Sequence, residues 1–487
     1  MEQDSFFKKN WRWIIPVAIG LILWVLPAPE GLSVNAWHYF AVFLAVIVAL
    51  VLEPFPGALI GLMGVGVLAW LRIGPEGSGE KIAATGKAIS WALSGFSNTT
   101  IWLIFAAFML GLGYDKSGLG RRIALFMVKK LGKTSLGLGY AVSFADGILA
   151  PFIPSNSARS GGVIYPIVNN IPPMVDSYPN KNPRRLGAYL YWVALAATCV
   201  TSTLFLTGLA PNLLAITTAE KAGFVGISWM DWFKVIAPCG IVLFLITPLL
   251  AYIIYPPESK GSQEASNWAA SELEKMGKIT IKEWLMLGVA LFCLLFWIFG
   301  GKIANATTVA ATAIVMMVLF KIITWEDVLT NKAAYNVLIW FSTLVALAGG
   351  LKNVGFLNWV GNMSEAMLAG LSPTVAFIGI IVLFYLLHYF FASTTAHVSA
   401  LLALFIAITA KIPGVDVQLV TLLMIQSLGL MGILTPYGTG PSPIWYGAGY
   451  IKTGEFWKLG FIFGMVYLVG FLAITIPWIK IIGFTMG

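Results

Sequence analysis

Stretches of about twenty apolar residues recur along the whole chain, the length a helix needs to cross a hydrocarbon core of ~30 Å. In lipid every backbone N–H and C=O must find its partner inside the protein, so such a chain builds its spans from helices. Candidate spans are 13–28, 38–53, 55–72, 100–115, 186–222, 232–255, 284–300, 303–322, 336–351, 416–449 and 456–482. Of the 487 residues 59% are hydrophobic and 10% are charged, against about 25% charged in a soluble domain. The fold class expected is an all-α polytopic membrane protein, with about 11 transmembrane helices. A soluble enzyme, a disordered regulator and a disulfide scaffold are excluded. Lys8-Lys9-Asn10-Trp11-Arg12 before an apolar run imitates a signal peptide, but the many spans behind it favour a signal-anchor first helix.

Two apolar stretches, 135–173 and 373–413, are too long for one span, and each is broken at its middle by a polar cluster. The first reads Pro154-Ser155-Asn156-Ser157-Ala158-Arg159-Ser160-Gly161-Gly162, the second Ala392-Ser393-Thr394-Thr395-Ala396-His397-Val398-Ser399. Polar, helix-breaking residues at membrane depth are tolerated only against protein or a watery cavity. Both stretches are therefore expected to be re-entrant helical hairpins. Two long spans break as well, at Thr207-Gly208-Leu209-Ala210-Pro211-Asn212 and at Thr435-Pro436-Tyr437-Gly438-Thr439-Gly440-Pro441-Ser442-Pro443, because Pro removes a donor and Gly permits unusual dihedrals.

These features repeat. Ile101-Trp102 recurs as Ile339-Trp340, and Ser155 and Arg159 recur as Ser393 and His397, each 238 residues on. Pro211 maps to Pro441, 230 on. An odd number of spans separates the copies, so the repeat is expected to be inverted, and paired breaks in two such halves point to a transporter binding site. The organisation read from this is residues 1–99 as scaffold helices, 100–256 as the first repeat, 257–335 as a connecting loop with two helices, and 336–487 as the second repeat and last helix. The polar stretch 257–282, with alternating Lys and Glu, reads as a solvated connector.

Basic residues orient the chain. With the N-terminus cytoplasmic and the C-terminus external, most of the 30 Lys and Arg fall at inner ends, including Arg121, Arg122, Lys129, Lys130, Lys133, Arg184 and Arg185. The net charge of +9 is then a membrane signature, and no nucleic acid is expected as a partner. Segment 118–132 has a basic and an apolar side and reads as an interfacial helix.

Each hairpin tip exposes the start of its second arm, where free N–H groups and the helix dipole favour an anion. Ser155, Asn156 and Ser157 add donors at one tip, and Ser393, Thr394 and Thr395 at the other. Two facing donor clusters suit a ligand with a carboxylate at each end. The competing reading is that these hydroxyls only cap helices. Arg159 is a guanidinium at membrane depth and is functional by default, unless it is a structural ion pair with Asp146 of the same hairpin. His397 takes its place in the second half as a second cation or a proton switch, whereas His388 and His38 read as structural.

The residues at 154–162 and 391–399, with the two Pro-containing breaks, resemble the divalent anion:sodium symporter family of di- and tricarboxylate transporters. Its Ser-Asn-Thr tip signature stands here as Ser155-Asn156-Ser157 and Ser393-Thr394-Thr395. The likeness runs from Trp37-His38-Tyr39-Phe40 to Gly447-Ala448-Gly449-Tyr450. Gly118-Leu119-Gly120-Arg121-Arg122-Ile123-Ala124-Leu125 and Leu434-Thr435-Pro436-Tyr437 look closest to the exchanger branch, which swaps carboxylates such as citrate, succinate, tartrate, 2-oxoglutarate and malate. The resemblance implies a substrate site of Ser155, Asn156, Ser157, Arg159, Gly208, Asn212, Ser393, Thr394, Thr395, His397, Thr439 and Pro441. It also implies a homodimer and an elevator motion of the hairpins and broken helices against the remaining spans.

In sodium-coupled relatives, tip and break oxygens hold Na⁺ beside the substrate. Here Asn gives way to Thr394 at the second tip, and Arg159 and His397 put cationic groups where the ions would lie. A dicarboxylate brings about −2 into a low-dielectric site, and moving that charge unpaired would cost many kcal/mol. Na⁺ can leave with the substrate; a covalent guanidinium cannot, which predicts obligate exchange without sodium. The alternatives are a sodium-coupled symporter, an anion channel and a membrane enzyme. For the enzyme, HExxH and GxSxG are absent. Neither a cofactor nor a metal is expected, since Cys199, Cys239 and Cys293 sit singly in apolar runs and read as small buried hydrophobes.

Overall fold

Helices form where the apolar runs are continuous and stop where Pro, Gly or a capping side chain interrupts the backbone ladder. A computed structural model describes residues 6–368, 370 and 372–485, and among them no strand forms beyond two isolated bridges. The chain opens with α1 (Phe6–Val25), α2 (Val34–Leu52), α3 (Gly57–Leu71) and the short α4 (Thr85–Ala92).

One order of elements then occurs twice. The first pass is α5 (Thr99–Ser117), the amphipathic α6 (Leu119–Leu131), α7 (Ser135–Leu149), a turn, and a π-wound stretch Ser157–Ile164 running into α8 (Tyr165–Val168). It closes with α9 (Gly187–Leu204), α10 (Ala210–Ala222) and α11 (Trp229–Ile254). Between the passes lie α12 (Gln263–Met276), α13 (Ile281–Phe299), α14 (Ala306–Leu319) and α15 (Trp325–Leu329). The second pass is α16 (Lys332–Asn353), α17 (Phe356–Leu368), α18 (Pro373–Leu386), a turn, α19 (Thr394–His397), a π-wound stretch Val398–Leu402 and α20 (Ala403–Thr409). It ends with α21 (Val417–Gln426), α22 (Leu428–Met431), α23 (Ser442–Gly447) and α24 (Thr453–Ile481).

Among the described residues seven helices are at least 18 residues long and apolar enough to cross a membrane. They divide by burial. All of α9 is buried, whereas the most apolar windows of α11, α13 and α24 are 44%, 33% and 44% buried. Helices apolar on their outer faces as well as their inner ones belong in lipid, so this is an integral membrane protein. α9 is the axis of the bundle, with α7, α11 and α22 packed on it. Its Thr198, Thr201 and Ser202 are fully buried and must bond within the protein. The approach of α22 depends on Gly429, where a Cβ would fall 2.7 Å from the Thr203 N and 2.8 Å from the Cys199 carbonyl oxygen.

The stretch 257–282 is not the solvated connector expected. α12 lies along α6, the Ser266 hydroxyl donates to the Lys129 carbonyl at 2.8 Å, and Ser262 donates to the Gly132 carbonyl at 2.7 Å. Arg122 donates to the Gly277 carbonyl at 3.0 Å at the end of α12 and pairs with Glu283 at the start of α13. Bonds from Lys275 and Arg121 hold the Glu272 carboxyl below the usual carboxylate range. The expectation failed because Ala265, Trp268, Ala269 and Met276 make an apolar face at helical spacing that the dense charges of this segment obscure.

The α9–α22 contact yields a test. Gly429→Ala forces backbone apart and should cost about 1–3 kcal/mol, read as a lower unfolding temperature of the detergent-solubilised protein. Gly447→Ala, whose Cβ would meet nothing within 4 Å, should leave that temperature unchanged.

Candidate functional site

Both hairpin tips are built to one plan. After α7, Pro151 and Pro154 interrupt the helix and Ser155 restarts it: its hydroxyl accepts the Ala158 N–H at 3.2 Å and its carbonyl accepts the Arg159 N–H at 2.8 Å. After α18, Ser393 accepts the Ala396 N–H on its hydroxyl at 3.1 Å and the His397 N–H on its carbonyl at 3.1 Å. These two serines thus cap the second arms. Asn156 reaches across the repeat and donates from Nδ2 to the Thr439 hydroxyl at 2.8 Å, tying the first tip to the second break. Gly440 lies against Ser157, where an added Cβ would fall 1.9 Å from the serine Oγ, so the serine hydroxyl would have to turn aside to admit one. Thr394 and Thr395 are buried at the second tip. Pro441 starts α23 beside the same break.

Each break is braced by a side chain one residue beyond its proline. Asn212 donates from Nδ2 to the Ser202 carbonyl at 2.8 Å, and Ser442 donates to the Gly432 carbonyl at 3.4 Å; both pairs are related by the offset of 230. The first break is also bonded to the first tip. Thr207 donates to the Pro151 carbonyl at 2.6 Å, and the Ala210 N–H to the Pro154 carbonyl at 2.9 Å. The Asn212 Oδ1 is buried and has no partner among the described residues.

Arg159 sits behind the first tip with no exposed surface. Its Nε donates to Asp146 at 3.1 Å, and Nη1 to the carbonyls of Ile153 at 2.6 Å and Gly208 at 2.8 Å. Nη2 donates to the hydroxyls of Thr201 and Ser202, each at 3.3 Å. A guanidinium has five N–H groups, and each has a protein acceptor. Asp146 in turn accepts from Thr198 at 2.6 Å and from Thr201. Of the two readings the sequence left open for Arg159, the structure displays the ion pair with Asp146. In this conformation it presents no free donor, and its bonds hold the tip to α9 and to the first break.

His397 occupies the equivalent position in different surroundings. Residues 238 after Asp146 and Ile153 are Phe384 and Phe391, and their rings lie 4.4 Å and 5.1 Å from the His397 ring. Both His397 nitrogens are buried and have no partner among the described residues. His388 lies 5.2 Å away, ring to ring, and bonds the Gly438 carbonyl in the second break through Nε2 at 2.7 Å.

A cavity of about 620 Å³ reaches the first tip, lined by Ser155, Ser157, Ala158 and Gly161 and, at its other side, by Asp115 and Asn331. Ser155 and Ser157 are therefore at the surface a solute would meet. The model of the sodium:sulfate symporter transmembrane region matches residues 7–485. The chain belongs to the divalent anion:sodium symporter family. It is 47% identical over 478 residues to the L-tartrate/succinate antiporter of Escherichia coli (strain K12), covering 97% of this chain and 98% of that one. The likeness to the L-tartrate/succinate antiporter of Shigella sonnei (strain Ss046) has the same extent and identity. Among solved structures it resembles the YdaH transporter of Alcanivorax borkumensis (TM-score 0.57, 16% identity, 88% of this chain and 98% of that one). It likewise resembles MtrF of Neisseria gonorrhoeae (TM-score 0.56, 14% identity, 87% and 95%). As a member of this symporter family the protein is a transporter and not an enzyme.

Three features of this candidate site are not evident from the sequence. Thr198, Thr201 and Ser202 hold the ion pair, and their spacing of three and four residues on one helix face was the available signal. Ser442 mirrors Asn212, and His388 grips the second break; nothing local marks either. Removing one member of a buried pair strands the other charge and costs about 3–5 kcal/mol, whereas replacing both by apolar residues is often neutral. Asp146→Asn should accordingly lower the unfolding temperature sharply, and Asp146→Leu with Arg159→Met should recover most of the loss. A double-mutant cycle by thermal unfolding checks the coupling.

Proposed function

We propose that this transporter exchanges dicarboxylates across the bacterial inner membrane, one anion entering as another leaves, without sodium. The observation that carries the reading is the seat of Arg159: its Nη1 occupies the Ile153 and Gly208 carbonyls, the kind of oxygens that would ligate Na⁺ beside a substrate at this tip. A covalent cation stands there and cannot depart with the anion. The antiporter relatives support exchange, and Asn156, Ser157, Thr394, Thr395 and Thr439, between tips and breaks, are the donors assigned to the two carboxylates. Succinate and tartrate are the first substrates to try; 2-oxoglutarate, malate and citrate belong to the same chemistry.

Asp146 cancels the net charge of Arg159. The requirement for exchange then rests on the fixed occupant of the cation position, with the rest of the substrate charge met by N–H groups, hydroxyls and the second tip. The reading includes about 11 spans with two re-entrant hairpins, a cytoplasmic N-terminus and an external C-terminus. It further includes a homodimer, and an elevator whose moving part holds both hairpins and both broken helices. The cohesion of that part supports the last: bonds join Thr207 to Pro151, Asn156 to Thr439, His388 to Gly438 and Trp445 to Ser160.

The test is uptake of labelled succinate into proteoliposomes that are empty or loaded with succinate or tartrate, each in Na⁺ and in K⁺. Uptake should need internal dicarboxylate and be equal in the two salts. Uptake into empty vesicles that requires Na⁺ would sink the reading in favour of a sodium-coupled symporter. Asn156→Ala, which breaks the bond between tip and opposite break, should reduce exchange by about tenfold or more, the loss expected for a 1.4 kcal/mol interaction.

A further inference from the structure

The two halves of the site are symmetric in backbone and unlike in charge. In the first, a carboxylate, two backbone carbonyls and two hydroxyls saturate the cation. In the second, the imidazole of His397 meets Phe384 and Phe391 instead, and its only ionisable ring neighbour among the described residues is His388. The Gly438 carbonyl can only accept, so the His388 Nε2 carries the proton in that bond. The Nδ1 of a neutral His388 is then a buried lone pair, and it has no partner among the described residues. Three of the four ring nitrogens of two adjacent buried imidazoles are thus unsatisfied, together with the Thr435 hydroxyl beside them.

We propose that His388 and His397 form one proton-binding pair that becomes charged when a dicarboxylate enters the site; this rests on the dicarboxylate reading above. One proton added to His397 turns both its nitrogens into donors, and the lone pair on His388 Nδ1, in the ring centred 5.2 Å away, is the acceptor assigned to one of them. No proton is consumed or transferred further: it binds with the anion and leaves with it. Other groups around the pair do not supply the countercharge. α18 brings Tyr385, whose hydroxyl is committed to the Leu430 and Gly464 carbonyls. The 3-10 turn brings Tyr389, and the second break brings Tyr437, which bonds the Tyr389 carbonyl. α2 brings His38, stacked on Trp24, and Tyr39, bonded to the Leu347 carbonyl. α10 carries Glu220 and Lys221 near its far end, and α20 carries no ionisable residue. Asp146, the carboxylate that neutralises Arg159, has Phe384 as its counterpart. The missing negative charge at the second tip is the substrate's own.

Linkage makes the claim measurable, since an anion that raises proton affinity is itself bound more tightly when the proton is present. Succinate binding to the full-length protein in detergent is followed calorimetrically at pH 7 in two buffers of different ionisation enthalpy, which reports affinity and protons taken up together. The wild type should take up close to one proton per chain as succinate binds. His397→Gln should bind without proton uptake. His388→Gln keeps an Nε2–H donor for Gly438 but cannot accept a shared proton, and should lose most of the uptake. Succinate binding by the wild type with no proton uptake overturns the proposal, as does an unchanged uptake in His388→Gln, which would make His388 only a brace. Absence of any succinate binding heat, with the protein shown folded by its unfolding transition, would instead overturn the dicarboxylate reading and this proposal with it.

Discussion

A guanidinium cannot be deprotonated inside a protein, so everything around Arg159 is arranged on the condition that this charge is permanent. Two unit charges in a dry interior attract strongly, but taking them out of water costs about as much, and only a fully bonded pair survives there. That condition places Asp146 one helix arm away, sets Thr198, Thr201 and Ser202 along the face of α9, and turns the carbonyls of Ile153 and Gly208 toward the same nitrogen. The first tip, the first break and the central helix are thereby one rigid piece. None can shift without exposing an unpaired charge.

The second half uses the same backbone plan with the electrostatics removed. Phe384 and Phe391 stand where the first half has Asp146 and Ile153, and aromatic packing holds the hairpin where ionic bonds hold its counterpart. Both second arms contain a π-wound stretch, at the start of the first and after one helical turn in the second, a local widening often found at functional sites. The internal symmetry thus gives matching geometry to two ends that differ in how they balance charge. One end has its charge settled by an ion pair, and the other has two imidazoles without an ion pair among the described residues.

Much of this was legible without coordinates, for a physical reason. Polar residues at membrane depth are so costly that the clusters at 154–162 and 391–399 and the breaks near Gly208 and Thr439 stand out from an apolar background. The ion pair of Arg159 with Asp146 was legible as one of two readings because both lie on one hairpin. What stayed hidden depends on contacts distant in sequence. Asn156 meets Thr439 across 283 residues, and Trp445 meets Ser160 across 285. His388 has no counterpart in the first half, where Ala150 stands 238 residues earlier, so the internal symmetry does not mark it. The helix at 263–276 was missed because charge pattern was read there in place of apolar spacing.

That helix bears on how the molecule is made. α12 and the strand-like contact of Thr134 with Gly261 clasp α6 and the start of α7 before any residue of the second repeat has been synthesised. Domains and subdomains settle in the order in which they emerge. A first repeat already fastened by its own downstream segment gives the second one a finished surface to assemble against, so two halves of similar backbone plan need not compete for each other's partners during biogenesis.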